Sequence, residues 1–93
     1  MQFEWDREKA RRNLKKHGVS FDQAVTVFYD PLAATFDDPL RSNVETRFIT
    51  VGHSAHGRLL IVVHTGRGTA ARLIGARKAT PNERKRHEAK ERL

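Results

Sequence analysis

The sequence predicts a small α+β domain in which an antiparallel sheet is packed by two amino-terminal helices and one carboxy-terminal helix. Three observations predict it. Apolar residues recur at helical spacing before residue 30, the period changes to two from Leu32 onward, and a capped, almost wholly polar segment follows Thr80. With 93 residues, the chain suits one domain, 1–93, because either half alone would be too short to bury a core.

Phe3 and Trp5 alternate with Gln2 and Glu4 as a short strand. Asp6 can then cap a helix that runs to His17 and stops at Gly18, with Lys15 and Lys16 at the favourable end of its dipole. Only Ala10 and Leu14 are apolar in it, so it reads as a cationic bar with little to bury. Ser20 and Gln23 form a capping box, Val19 can staple onto Ala24, and Phe21, Ala24, Val25 and Phe28 make one apolar face that Asp30 and Pro31 terminate. Strands are expected at 32–37, 45–52, 58–65 and 69–78. The turns between them are Asp37-Asp38-Pro39, 53–57 and Gly66-Arg67-Gly68, short enough for an antiparallel meander. Alternation along the last strand places Arg72 and Lys78 on one face and Arg77 on the other. Thr80, Pro81 and Glu83 supply N-cap, N1 and N3 of the final helix. Its only apolar residues are Ala89 and Leu93, so it should fray unless a partner completes it.

The chain has no cysteine, which excludes disulfides, thiolate zinc sites and a cysteine nucleophile and suits a reducing cytoplasm. Its longest aliphatic run, Leu59 to Val63, is far short of the roughly 20 residues that span a bilayer. The net charge is +7, and its location is informative. Residues 1–50 hold eight basic and eight acidic side chains, whereas 51–93 hold ten basic against Glu83, Glu88 and Glu91. Six of the first eight bases lie within 7–16. Two basic blocks flanking an acidic middle favour a polyanionic partner such as nucleic acid.

Arg47, Arg58, Arg72, Arg77 and Lys78 fall on or beside the predicted strands. Guanidinium forks match phosphate oxygens and can stabilise a pentacovalent phosphoryl transition state, so the cluster suits a mechanism without metal. Any one arginine taken alone reads as a solvated or salt-bridged surface residue. Of the five histidines, His17 ends the basic helix, His64 reads as a strand residue, and His87 lies one turn from Glu83. His53 and His56 read as ordinary loop residues, since no further ligand at metal-binding spacing accompanies them.

Phe3-Glu4-Trp5-Asp6, Lys9, Asn13, Lys16-His17-Gly18-Val19-Ser20-Phe21 and Ala24 resemble the amino-terminal signature of BrnT-type toxins. The resemblance extends through Glu45, Arg47, Gly52, Gly57-Arg58, Arg72, Ala76-Arg77-Lys78-Ala79-Thr80 and Glu83-Arg84. Gly75 stands where such sequences commonly have serine, and His87 where they have tyrosine. The resemblance implies a RelE-like fold and an endoribonuclease that arrests growth as part of a type II toxin-antitoxin pair. It further implies a ribbon-helix-helix antitoxin as partner, operator DNA bound only through that complex, and room for a homodimer within it.

Taken with the residues, this gives a cytoplasmic, cofactor-free ribonuclease in which a 2′-hydroxyl attacks its own phosphodiester. Arg77 with Arg72 or Lys78 would hold the phosphate, and His17 or His87 would move protons. Lys9, Lys16, Arg47, Arg58 and Arg84 would bind RNA, and Glu83 would orient the arginines. Composition alone equally suits a non-enzymatic nucleic-acid-binding module or a toxin that blocks a protein target.

Overall fold

A computed structural model of the chain describes residues 1–38 and 46–91. In chain order the elements are β1 (Gln2–Glu4), α1 (Arg7–His17), α2 (Phe21–Thr26), a 3-10 turn (Val27–Tyr29), β2 (Ala34–Asp37), β3 (Arg47–His53), β4 (Leu59–Arg67), β5 (Ala70–Lys78) and α3 (Pro81–Glu91). The strands form one sheet in the order β1-β5-β4-β3-β2. The meander from β2 to β5 is antiparallel throughout, whereas β1 joins β5 in parallel, so the sheet is mixed.

The helix termini follow the local chemistry. Asp6 accepts the Lys9 N–H at 2.9 Å, and Gly18 closes α1 at φ 68°, where its own N–H reaches the Leu14 carbonyl. The Ser20 hydroxyl accepts the Gln23 N–H. At α3 the capping box is reciprocal, with Glu83 N–H donating to Thr80 Oγ1 and Thr80 N–H to Glu83 Oε1. The second helix ends earlier than its apolar spacing suggests, and its last turn tightens over Val27–Tyr29. Strand β2 starts at Ala34 rather than at 32, because the Asp30 carboxylate captures the Leu32 N–H in a local turn. The predicted turn reaching Pro39, the strand start at Glu45, and Leu93 lie outside the described residues.

One sheet face is covered by α2 and the 3-10 turn. Phe21, Ala24 and Val27 pack there with Val19, Leu60, Val62, Leu73 and Ala76, and Phe3, Trp5 and Phe28 close the margins. Each large apolar side chain so buried contributes about 1.5–3 kcal/mol. His64 belongs to this layer: it is buried between Phe28 and Phe48, with its Nε2 2.7 Å from Thr50 Oγ1, and burial depresses its pKa. It is a core histidine, as its strand position suggested.

A bulge in β5 revises the predicted sorting of the arginines. Val63 pairs with Gly75 but His64 with Leu73, so Ile74 is an extra residue and the alternation inverts there. Arg72 stands opposite Thr65 and Arg77 opposite Ile61, both on the face away from α2, whereas Lys78 stands opposite Leu60 on the α2 face. Arg72 and Arg77 therefore share a face and Lys78 does not. Strict alternation fails because the bulge is a property of strand pairing, not of the β5 residues alone.

Candidate functional site

The face away from α2 carries Ile49 of β3, Ile61 and Val63 of β4, and Arg77 of β5. Helix α1 lies along the β5 edge beside it. Its attachment is unusual, because none of its residues is buried and Leu14 is 50% exposed. Asn13 makes the connection. Strand β1 pairs with β5 only from Ala70 to Arg72. At Ala76 the Asn13 side chain takes the place of a strand: Oδ1 accepts the Ala76 N–H at 3.1 Å, and Nδ2 donates to the Ala76 carbonyl at 2.8 Å and to the Val19 carbonyl at 3.0 Å.

Around Asn13, residues Lys9, Arg12, Lys16 and His17 recur at i, i+3, i+7 and i+8 and form one wall of a cleft of about 860 Å³. Ile49, Ile61, Val63, Ile74 and Gly75 line the sheet side, with Arg47, Arg77 and Asp38. Five cationic side chains and a histidine thus face a single carboxylate among the described lining residues. Such a concentration of positive charge attracts a polyanion and binds its phosphates.

Arg77 is held by α3. Its Nη1 and Nη2 donate to the two Glu83 carboxylate oxygens at 2.7 and 2.9 Å, and Nη1 also reaches the Lys78 carbonyl. The Arg77 fork pulls the Glu83 pKa from 4.5 down to about 2, against the opposing effect of burial and with help from the Thr80 N–H. The capping box of α3 and the orientation of Arg77 therefore share one carboxylate.

Lys9, Lys16, His17, Arg47 and Arg77 meet in the cleft, with Glu83 gripping Arg77 from behind. The other predicted site residues lie elsewhere. Arg72 donates to Glu4 Oε2 at 3.2 Å across the β1–β5 pair. Arg58 bridges Gln23 and the Gly18 carbonyl at the junction of α1 and α2. Lys78 is exposed on the α2 face, and Arg84 pairs with Glu88 along α3. His87 is buried, its ring 5.9 Å from that of His53, and it anchors a helix whose apolar residues are too few to do so. His53 and His56 stay apart, the first beside Asp30 and the second on Gln23. Among the described residues no group of three or more histidine and carboxylate side chains is placed to hold a metal ion.

Three residues of this site, Asn13 of the quoted signature among them, carry no site role in the sequence reading. Arg12 was legible, since it completes the stripe of Lys9 and Lys16. Asn13 carried a weaker signal, a poor helix former in mid-helix. Asp38 carried none, because only the pairing of β2 with β3 brings it to Arg47, whose carbonyl accepts its N–H.

Residues 5–83 match the family described as ribonuclease toxin, BrnT, of type II toxin-antitoxin system. The chain belongs to that family. Membership brings with it a protein antitoxin as partner. The fold agrees with that of the Brucella abortus ribonuclease toxin BrnT, with a TM-score of 0.64 at 22% identity over 86% of this chain and 97% of the other. A comparison with curated proteins returns no match. In this chain the α+β architecture is realised, among the described residues, as three α-helices on a five-stranded sheet, and no helix among them is long and apolar enough to cross a membrane. Gly75 sits in the cleft wall, and a Cβ added there would lie 3.7 Å from Asn13 Oδ1, at ordinary contact distance.

Proposed function

We propose that this family member is an endoribonuclease that cleaves RNA in the α1–sheet cleft without a metal ion, by directing a ribose 2′-hydroxyl onto the adjacent 3′-phosphate. The observation that carries the reading is the convergence of Lys9, Arg12, Lys16, Arg47 and Arg77 on one cleft. Their charge can do for the phosphoryl transition state what a divalent ion does in other nucleases. A base removes the 2′ proton, the oxygen bonds to phosphorus, and the 5′ oxygen departs with a proton, leaving a 2′,3′-cyclic phosphate and a 5′-hydroxyl. Arg77 is the group for the non-bridging oxygens, through its Nε–H and second Nη2–H edge, while the Glu83 pair on Nη1 and Nη2 fixes the orientation of the guanidinium. The side chains of the cleft whose chemistry suits general acid–base work are the His17 imidazole and the Asp38 carboxylate. The partner is a ribbon-helix-helix antitoxin, operator DNA is bound through the complex, and the toxin can pair as a dimer within it.

Induced expression of the toxin without its antitoxin, with growth and total RNA followed, tests the activity. Arrest with degraded RNA is expected, and arrest with intact RNA would point to a protein target. Purified toxin should cleave in excess EDTA, and loss of cleavage restored by a divalent ion would overturn the metal-free mechanism. Arg77→Ala should lose roughly 10²- to 10³-fold in rate, and Arg77→Lys should recover little, since an ammonium lacks the fork.

A further inference from the structure

A second cleft, of about 550 Å³, opens between the same sheet face and α3. It is continuous with the cationic cleft through Ile49, Ile61 and Arg77, which border both. Its chemistry is different. Phe36, Ile49, Val51 and Ile61 give it an apolar lining, and the cations on it, Arg77 and Arg86, lie among the polar residues it takes from β5 and α3. Phe36 stands on edge strand β2 opposite Ile49 and is 41% exposed. Its ring therefore adds aromatic surface to the cleft lining while part of it stays accessible.

We infer that this second cleft is a nucleobase subsite, in which an unstacked base adjoining the phosphate at Arg77 lies against the ring of Phe36. The inference rests on the proposal that RNA occupies the cationic cleft. A single RNA strand alternates a charged phosphate with a flat, apolar-faced base, so a protein that grips it needs a cationic and an aromatic compartment side by side. Here the two compartments share Arg77. A strand whose phosphate meets that guanidinium from the α1 side brings its neighbouring base to the mouth of the Phe36 cleft. Stacking of this kind tolerates any base, since every base has a π face. The subsite therefore serves affinity and positioning more than sequence choice.

The test is a cycle between protein and nucleic acid, with equilibrium binding of a single-stranded 2′-fluoro oligoribonucleotide that cannot be cleaved. Abasic versions remove each base in turn. Phe36→Ala should weaken binding of the full oligonucleotide roughly 10-fold, and one abasic position should weaken the wild type by a similar factor. The two losses should not add, because both remove the same stacked pair. Phe36→Leu, which keeps apolar volume without the ring, should behave like Phe36→Ala, and Phe36→Trp should restore binding and its dependence on that base. Additive losses, or unchanged binding by Phe36→Ala, would overturn the subsite. So would a Phe36→Ala toxin that binds RNA normally but no longer captures its antitoxin, which would assign the groove to the protein partner. Lys9→Gln/Lys16→Gln separates the two levels. Unchanged binding there would remove the RNA reading and the subsite with it, whereas weakened binding without Phe36–base coupling would remove the subsite alone.

Discussion

Replacing Asn13 with alanine should destabilise this toxin more than removing any apolar residue of α1. Three hydrogen bonds disappear, one N–H and two carbonyl oxygens lose their partner, and the groups are partly buried. At about 1 kcal/mol net for each bond the loss is about 3 kcal/mol, reduced toward 2 where water can reach the freed β5 edge. For a domain of this size that corresponds to a melting temperature lower by about 10–20 °C. Urea unfolding followed by circular dichroism measures the loss directly, with Leu14→Ala as the internal comparison. Leu14 is half exposed, so its truncation should stay within about 0.5 kcal/mol. Asn13→Asp should be no better than alanine at neutral pH, because it keeps the acceptor for the Ala76 N–H but turns a carboxylate toward two carbonyl oxygens. A loss below about 1 kcal/mol for Asn13→Ala, or an equal loss for Leu14→Ala, would refute the argument that an amide substitutes for a strand at this edge.

Glu83 links stability to pH. Its folded pKa of about 2 lies below the ordinary 4.5, so its contribution is present above pH 4.5 and is lost as pH falls toward 2. Because the Arg77 side chain is 42% exposed, solvent screening leaves about 1–2 kcal/mol of that contribution. Glu83→Gln should therefore cost about that much at pH 7 and little at pH 2, and an equal cost at both would contradict the linkage. Two glycines should differ in their tolerance of a side chain. Gly52→Ala places a Cβ 2.9 Å from Ala33 Cβ and 3.0 Å from Val27 Cγ1, and thermal unfolding should register a loss of about 1–3 kcal/mol. Gly75→Ser meets only the Asn13 amide oxygen, at ordinary contact distance, and should leave the melting temperature and RNA cleavage near wild type.

What the sequence determined by itself was everything set by neighbours along the chain. Asp6, Ser20 and Thr80 cap the three helices, Gly18 stops the first, and the period-two runs become strands, because capping and alternation act over three or four residues. The stripe of Lys9, Lys16 and His17 was legible for the same reason. Family membership was also legible, since ordered motifs along the chain carry it. The tertiary structure decided which of the cations share a site. The β5 bulge at Ile74 moved Arg72 to the face of Arg77, yet Arg72 pairs with Glu4 while Arg77 reaches the cleft, and local alternation knows nothing of either partner. Asn13 holds α1 at β5 across 63 positions of sequence. Asp38 and Phe36 enter their clefts only through the pairing of β2 with β3. Those contacts depend on pairing register and on where β1 stops, quantities set by the whole sheet's hydrogen bonding and packing rather than by any local run of residues.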